Sequence, residues 1–247
     1  MLKLFSGTAH PKLTQEVASL LHIPVSKSEV VRFVNSEVRV RIIDSVKNKI
    51  CVVIQPTSNP TDSNLLELFL FCDCLRRLEA KKVIGFIPYF GYARQDIQHR
   101  TGECVSVNVV IRFLEEIGFF KIYTIDLHNL ATEGVFSIPF RNISAMQLLA
   151  QNIKKYLLKN KIIINIDNIA IVSPDQGGIE RARKFGKYLF NNDSFPLVVI
   201  EKKRDLEHVH QSKTLDLYGD VTAKVAILVD DMVISGSTLV PAAEICL

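Results

Sequence analysis

Two hydrophobic patterns alternate along the chain. Apolar residues recur at spacings of three and four over residues 65–78 and 105–117, which predicts amphipathic helices. Short apolar runs, often rich in Val and Ile, predict β-strands at residues 3–5, 51–54, 83–87 and 122–125. Strands that alternate with helices build a mainly parallel sheet. The sequence therefore predicts an α/β fold.

The second half of the chain repeats this pattern. Helices are predicted at residues 145–158 and 179–189. Apolar runs predict strands at residues 169–173, 197–201 and 225–229. The simplest interpretation is two similar domains, residues 1–143 and 144–247, each a mainly parallel sheet flanked by helices. Because the chain stops about two turns into a predicted helix with no capping residue, we expect the second domain to be incomplete at its C-terminus.

Length and hydropathy exclude several classes of protein. The chain has 247 residues, of which 48% are hydrophobic, enough for a packed core. Glu67 and Asp73 interrupt the longest apolar stretch, which is far shorter than the roughly 18 residues that a membrane helix needs. The N-terminus becomes polar too early for a secretion signal. We therefore expect a cytoplasmic protein with no membrane partner.

The cysteines and the net charge further limit the kinds of ligand and partner that the sequence predicts. The five cysteines are scattered, and no two have the Cys-x-x-Cys spacing of a metal or redox motif, so they predict reduced thiols. The formal net charge is +4, without the basic block that is typical of a nucleic-acid-binding protein. No nucleic-acid partner is expected, and phosphorylated small molecules account for the excess of cations at least as well.

Residues 225–238 combine an apolar run with acidic and small polar residues. The run itself predicts a central parallel strand that is covered on both faces. Asp230 and Asp231 follow at its carboxyl end, where open α/β sheets bind ligands. Backbone N–H groups of the next turn can surround a phosphate while the carboxylates hold sugar hydroxyls. That turn consists of Ser235, Gly236, Ser237 and Thr238. The alternative interpretation is a structural turn with incidental acids.

This segment resembles the phosphoribosyl-binding loop of type I phosphoribosyltransferases, whose usual form is Asp-Asp-x-x-Asp-Thr-x-Gly-Thr. The resemblance implies that Asp230, Asp231 and the turn bind a ribose phosphate. The chain departs from the pattern at two positions, because Ile234 replaces the third Asp and Ser237 replaces Gly. Isoleucine cannot accept a hydrogen bond from ribose, and serine restricts the close approach of the backbone to a phosphate.

A second segment, residues 88–96, has the sequence Pro-Tyr-Phe-Gly-Tyr-Ala-Arg-Gln-Asp. Together with Arg100, it supplies two guanidinium groups and an amide, which suit the phosphates and base edge of a nucleotide. The whole segment is similar to the signature of ribose-phosphate pyrophosphokinases. The resemblance implies that Arg94, Gln95 and Asp96 bind ATP. A surface loop without a ligand is the alternative.

Two further segments match the same family in its order. Asp126-Leu-His128 follows a predicted strand, and the resemblance makes His128 a magnesium ligand on the ATP side. Without the resemblance, a hydrogen-bonded histidine at a strand end is the simpler interpretation. Residues 173–183 resemble the family's pyrophosphate loop, in which Asp175 meets the metal. The paired glycines at 177 and 178 let backbone N–H groups approach a diphosphate.

The resemblance extends to an adenine-binding segment and to a catalytic loop. Phe33, Asn35, Ser36 and Glu37 match a region that in this family reaches the adenine bound to a neighbouring subunit. The resemblance therefore implies a homo-oligomer, a hexamer built from dimers. Lys202 and Arg204 match the family's Lys-x-Arg segment, which implies that they contact the transferring phosphates and that Arg204 contacts the substrate. Taken alone, this charge run is typical of a solvated surface.

These parts imply one reaction. The diphosphoryl group of Mg-ATP moves to the anomeric hydroxyl of ribose 5-phosphate, which gives phosphoribosyl pyrophosphate and AMP for nucleotide biosynthesis. Ile234, Ser237 and the short C-terminus leave a second hypothesis open, namely a synthetase-like regulatory or binding subunit with weakened catalysis. A phosphoribosyltransferase that consumes phosphoribosyl pyrophosphate is a third hypothesis, but it does not explain residues 88–96.

Overall fold

The computed structural model describes residues 2–98, 100–203, 214–222 and 224–247. It divides the chain into two compact units, Met1–Ile143 and Ser144–Leu247. Each unit has its own buried apolar clusters, so each is described separately.

The first unit is built on a five-stranded sheet in the order β1-β4-β5-β6-β7, in which every pairing is parallel. Its strands are β1 (Leu2–Ser6), β4 (Ile50–Ile54), β5 (Lys82–Ile87), β6 (Lys121–Ile125) and β7 (Phe140–Ile143). Its helices are α1 (Pro11–Leu21), α2 (Thr61–Arg77), α3 (Ser106–Glu116) and the 3₁₀ helix Leu130–Val135.

Helices cover both faces of this sheet because successive strand residues point to opposite sides. Phe5 packs into a cluster with side chains of α2 and α3, such as Phe71 and Ile111. Its neighbour Leu4 packs with Ala18 of α1 in a separate cluster. Because every pairing is parallel, the carboxyl ends of the five strands lie together at one edge of the sheet.

A two-stranded antiparallel hairpin, β2 (Ser28–Arg32) and β3 (Val38–Ile42), stands apart from this sheet. Its strand β3 packs on α2, where the Sγ atom of Cys74 lies 3.3 Å from the carbonyl oxygen of Val40. Val40 and Ile42 are buried, whereas the arginines between and before them are exposed. The turn of the hairpin contains the residues predicted to bind adenine.

The second unit has a four-stranded sheet in the order β10-β9-β8-β11. Only the β9–β10 pair is antiparallel, and all five residues of β8 are buried. Its strands are β8 (Ile169–Ser173), β9 (Leu197–Lys203), β10 (Thr214–Tyr218) and β11 (Val225–Leu228). Its helices are α4 (Met146–Lys159), the 3₁₀ helix Gln176–Gly178, α5 (Ile179–Phe190) and α6 (Leu239–Glu244).

The two sheets confirm the predicted α/β class, with mainly parallel strands flanked by helices. One detail of the prediction is wrong. Residues 225–229 were expected to form a central strand, but β11 lies at an edge among the described strands and pairs with β8 alone. Val225 is accordingly 39% exposed. A short apolar run fits a half-covered edge strand as well as a central one, because it carries no information about its neighbours.

No helix within the described ranges combines the length and the apolar character needed to cross a membrane.

Candidate active site

In the second unit, the predicted ligand-binding loops leave neighbouring strands at the same edge of the sheet. Strands β8 and β11 pair in parallel, so the loop after Ser173 and the loop after Leu228 start side by side. Asp175 lies in the first loop, while Asp230 and Asp231 lie in the second. The structure therefore brings together residues that are more than fifty positions apart in the sequence.

The loop after β8 is shaped by Asp175 and Gly178. Asp175 Oδ1 accepts a hydrogen bond of 2.9 Å from the backbone N–H of Gly178 and so caps the 3₁₀ helix. The hydroxyl of Ser173 donates to the carbonyl oxygen of Asp175 over 2.7 Å. A Cβ atom on Gly178 would lie 2.7 Å from that hydroxyl oxygen. Glycine is therefore required here by close approach.

The loop after β11 holds two adjacent carboxylates with one guanidinium beside them. Asp230 Oδ1 accepts the backbone N–H of Asp231 over 2.8 Å. Arg181 of α5 places Nη1 at 3.7 Å from Asp231 Oδ1 and 3.9 Å from Asp230 Oδ1. The side chains of Arg181, Asp230 and Asp231 are only 14, 16 and 5% exposed. The three groups form a partly buried charged cluster.

Burial raises the pKa of Asp230, and the hydrogen bond with the Asp231 side chain and the negative charges of Asp231 and Asp175 raise it further. Three carboxylates thus lie close enough to affect one another's charge. Arg181 supplies a positive charge to this group. A site with this excess of negative charge can accept hydrogen bonds from sugar hydroxyls and attracts a divalent cation.

The turn at residues 235–238 is open to solvent and held by local hydrogen bonds. Ser235 Oγ donates to Ser237 Oγ over 3.0 Å, and Ser235 Oγ also accepts the N–H of Ser237 over 3.4 Å. Gly236 has a φ of +76°, in the left-handed region that favours glycine. Ile234, where the family pattern has Asp, is 65% exposed. Its side chain projects from the turn without being buried in it.

Of the two predicted catalytic residues, Lys202 lies near the carboxyl end of β9. Lys202 belongs to β9, where it pairs with Leu215 of β10. The preceding residue, Glu201, accepts a hydrogen bond of 2.7 Å from Gln176 Nε2, which links β9 to the loop after β8. Arg204 lies outside the described residues. The catalytic roles of Lys202 and Arg204 stay predictions.

In the first unit, the segment that begins at Pro88 leaves the carboxyl end of β5, and its first residues are held by hydrogen bonds. The N–H of Gly91 donates to Thr57 Oγ1 over 2.7 Å, and a Cβ atom here would lie 2.7 Å from the carbonyl oxygen of Thr57. Tyr92 donates a hydrogen bond to Asp62 at the start of α2. These contacts fix the loop before it reaches the predicted ATP residues.

The three predicted ATP residues of this loop differ in their environments. Arg94 is exposed, so its guanidinium is accessible to a ligand. Gln95 is anchored to the start of α3, because its Oε1 accepts from Ser106 Oγ over 2.5 Å and its carbonyl accepts from the N–H of Val107 over 3.2 Å. Asp96 Oδ2 accepts a hydrogen bond of 2.6 Å from Asn129 Nδ2.

His128 lies in a short segment that is pinned to β7. The N–H of Asp126 donates to the carbonyl oxygen of Ile143 over 3.0 Å, and the N–H of Leu127 donates to Asn142 Oδ1 over 3.0 Å. Asp126 has a φ of +41°, an uncommon conformation for a residue with a side chain. The structure thus places the predicted metal ligand of this unit one residue from the partner of Asp96.

The hairpin turn presents its predicted adenine-binding residues to solvent. Backbone hydrogen bonds of 2.8 and 2.9 Å join Phe33 to Glu37 and Ser36 to Phe33, while Asn35 Oδ1 accepts the N–H of Glu37 over 3.2 Å. The guanidinium carbon of Arg39 lies 5.6 Å from the centre of the Phe33 ring. Phe33 is 43% exposed, so part of its ring remains accessible for stacking.

Comparison with known families matches both units. Residues 2–118 match the N-terminal domain of ribose phosphate pyrophosphokinase, and residues 140–247 match the phosphoribosyl transferase domain. The chain is 38% identical over 244 residues to a ribose-phosphate pyrophosphokinase of Buchnera aphidicola, a match covering 98% of this chain and 73% of that protein. A Ralstonia nicotianae protein of the same name is 38% identical over 245 residues, with 99 and 73% covered.

The chain belongs to the ribose-phosphate pyrophosphokinase family. Its fold is similar to the crystal structure of phosphoribosylpyrophosphate synthetase from Mycobacterium smegmatis, with a TM-score of 0.85 and 31% sequence identity. That similarity covers 99% of this chain and 76% of the other. The chain spans 73% of the length of the two bacterial relatives.

Two residues of this ribose-phosphate pyrophosphokinase site were missed by the sequence analysis. Arg181 lies within the 173–183 pattern, which assigned it no role, although its guanidinium lies beside the acid pair. Asn129 was not singled out, yet its side chain bonds Asp96. Neither has a local signal, because the partner of Arg181 is about fifty positions away and that of Asn129 is 33 positions away.

The predicted metal ligands, His128 and Asp175, are compatible with a magnesium ion that binds together with a nucleotide. The described part of the chain contains no group of three or more His, Cys, Asp or Glu side chains that could hold a metal. Mg²⁺ typically uses one or two carboxylates plus substrate phosphates rather than a cage of protein ligands. Asp175 supplies the oxygen ligands that Mg²⁺ prefers, whereas the imidazole of His128 is the less usual ligand. In a ribose-phosphate pyrophosphokinase, the substrate phosphates would complete such a site.

Proposed function

We propose that this chain transfers the diphosphoryl group of ATP to ribose 5-phosphate, forming phosphoribosyl pyrophosphate and AMP. The observation that carries the proposal is the shared edge of β8 and β11. The diglycine loop with Asp175 follows β8, and the acid pair and the small-residue turn follow β11; these are the parts that a diphosphate and a sugar phosphate require. Membership of the ribose-phosphate pyrophosphokinase family supports the same reaction.

Ribose 5-phosphate would bind to the second unit. Asp230 and Asp231 would accept hydrogen bonds from two ribose hydroxyls, and the 5-phosphate would lie against the backbone N–H groups of Ser235, Gly236, Ser237 and Thr238. The left-handed conformation of Gly236 and the exposure of the turn support this assignment. Arg204 would contact the substrate phosphate.

ATP would bind to the first unit. Arg94, Gln95 and Asp96 would contact the nucleotide from the loop after β5. Phe33, Asn35, Ser36 and Glu37 would contact the adenine bound to a neighbouring subunit, since the exposed hairpin turn offers them to an outside ligand. The working form would therefore be a homo-oligomer, a hexamer built from dimers. A cytoplasmic location, with no nucleic-acid or membrane partner, completes the proposal.

The chemical step needs positioning and charge neutralisation more than covalent help. The anomeric oxygen attacks the β-phosphorus of ATP in line, the bond from that phosphorus to the α–β bridging oxygen breaks, and AMP leaves with that oxygen. The hydroxyl proton is released to solvent. Lys202 and Arg204 would stabilise the charge that develops on the transferring phosphates. His128 in the first unit and Asp175 in the second would each be a magnesium ligand, and magnesium would neutralise charge on the phosphate oxygens when bound.

The alternative of a regulatory or binding subunit is not favoured by the comparisons, because matches that cover 98 to 99% of this chain are to ribose-phosphate pyrophosphokinases. The departures at Ile234 and Ser237 affect the ribose side alone. They leave the predicted residues Asp175, His128 and Lys202 in place.

The test is coupled AMP production by the purified protein with ATP, Mg²⁺ and ribose 5-phosphate. We expect AMP to appear only when ribose 5-phosphate is present. The variant Lys202→Ala controls for contaminating activity and should lower turnover by roughly 10² to 10³, which is typical for one preorganised donor. Binding of ATP without any AMP formation would overturn the proposal in favour of a non-catalytic subunit. Base-dependent release of pyrophosphate would instead identify a phosphoribosyltransferase.

A further inference from the structure

Asn129 uses both ends of its side-chain amide. Its Nδ2 donates to Asp96 Oδ2 over 2.6 Å, and its Oδ1 accepts the backbone N–H of Ala131 over 3.0 Å. The second bond caps the 3₁₀ helix Leu130–Val135. A single side chain therefore joins the loop after β5 to the segment after β6.

Each of the two joined segments carries a residue of the proposed ATP site. Asp96 is itself one of them, and it follows Arg94 and Gln95 directly. On the other side, His128 immediately precedes Asn129. Because the remaining backbone of this second segment is held by Ile143 and Asn142 of β7, Asn129 connects a fixed element to an exposed loop.

We propose that Asn129 is a positioning residue for ATP, which holds Asp96 and the loop after β5 in register with the His128 segment. This role rests on the proposed function, in which both segments contact Mg-ATP. The loop benefits from such support, since Arg94, Ile97 and Gln98 on either side of Asp96 are exposed. Asn129 itself need not contact the nucleotide.

The chemistry of the contact requires an amide. Asn129 donates to the carboxylate of Asp96 with its amide nitrogen, and it accepts the backbone N–H of Ala131 with its amide oxygen. Aspartate at position 129 would keep the cap, because Asp is as good a capping residue as Asn. It would have no donor for Asp96 and would place two carboxylates in contact. Asn129→Asp therefore removes the connection while it preserves the helix cap.

The experiment compares Asn129→Asp with Asn142→Asp. The control changes an amide on the neighbouring strand that uses its oxygen to accept the N–H of Leu127, an interaction that aspartate also makes. We expect Asn129→Asp to raise the KM for ATP and the Kd of a non-hydrolysable ATP analogue by about tenfold, the ratio that corresponds to about 1.4 kcal/mol. The KM for ribose 5-phosphate and the thermal midpoint should change little, and Asn142→Asp should leave the Kd within about twofold.

A reciprocal exchange tests the contact itself. The double variant Asp96→Asn, Asn129→Asp again has one donor and one acceptor at this contact. Its loss of binding free energy for the ATP analogue should therefore be smaller than the sum of the losses in the two single variants. Purely additive effects, or an unchanged Kd in Asn129→Asp, would overturn the positioning role. Failure of the wild-type chain to bind the analogue at all would instead overturn the proposed function, so the two failures are distinguishable.

Discussion

The guanidinium of Arg181 lies 3.7 Å from the carboxylate of Asp231, at the edge of the second unit where ribose 5-phosphate is proposed to bind. The same group lies 3.9 Å from Asp230. All three side chains are mostly removed from solvent. Arg181 thus supplies the positive charge on which two neighbouring carboxylates depend.

Removing that charge should affect both stability and ribose binding. In Arg181→Met, two partly buried carboxylates lose their counter-charge, and we expect the free energy of unfolding to fall by about 1 to 3 kcal/mol. The KM for ribose 5-phosphate should rise while the KM for ATP stays nearly constant. Urea unfolding and steady-state kinetics measure the two effects. Arg181→Lys, which keeps the charge, should show the smaller change in each, and equal losses in both variants would contradict an electrostatic role.

The raised pKa of Asp230 predicts a pH dependence of stability. Because burial raises the pKa of this carboxyl in the folded chain, the folded state binds its proton more tightly than the unfolded chain does. The contribution of Asp230 to the free energy of unfolding is therefore favourable at a pH below 3.8, the ordinary pKa of the group, and it is lost as the pH rises through the raised pKa.

Asp230→Asn removes this titration. We expect the variant to gain stability relative to the wild type at neutral pH, and the difference to shrink as the pH falls and the wild-type carboxyl takes up its proton. The midpoints of urea unfolding, measured for both proteins from neutral to acidic pH, give this difference in stability. The variant should also bind ribose 5-phosphate more weakly. A difference in stability that grows toward low pH would show that the pKa of Asp230 is lowered rather than raised.

The two glycines of the loop after β8 should respond differently to substitution by alanine. A Cβ atom on Gly178 would lie 2.7 Å from Ser173 Oγ, whereas for one on Gly177 the nearest atom among the described residues is Asp175 Oδ1, at 3.4 Å. Gly178→Ala must therefore displace the Ser173 hydroxyl, which holds the carbonyl of Asp175. We expect it to cost about 1 to 3 kcal/mol of unfolding free energy, as overpacking does, while Gly177→Ala costs much less.

Chemical denaturation of the two alanine variants checks this order. The comparison is closely matched, because both glycines belong to the same 3₁₀ helix and neither requires a left-handed backbone conformation. Equal destabilisation would mean that conformational entropy, and not the contact with Ser173, determines the effect.

Restoring the family's third acid should strengthen ribose binding. Ile234 is 65% exposed, so Ile234→Asp removes little buried surface and should change the free energy of unfolding by less than about 0.5 kcal/mol. If the new carboxylate accepts one further hydrogen bond, the KM for ribose 5-phosphate should fall by about threefold to tenfold. Steady-state kinetics with ribose 5-phosphate as the varied substrate measures it. Ile234→Asn, an uncharged acceptor of similar size, is the control, and a raised KM in both variants would contradict this role for position 234.

Local sequence patterns predicted most of the regular elements to within a few residues. The periodic segments at residues 105–117 and 179–189 correspond to α3 and α5, and the apolar run Ile169–Ser173 is β8. The missed elements also had local signals. Helix α1 starts at Pro11, which suits the first position of a helix, and β3 alternates Val and Ile with Arg.

The sequence by itself determined the α/β class, the family and the residue types that phosphate and sugar chemistry require. Those properties depend on periodicity and on contiguous motifs, which are local in the chain. Only the tertiary structure decided that β11 lies beside β8, that Arg181 neutralises the acid pair, and that Asn129 holds Asp96. Each of these contacts joins distant positions, and a contact between distant residues depends on how the strands are ordered in the sheet. No local pattern specifies that order, because a short apolar run has the same appearance at the centre of a sheet as at its edge.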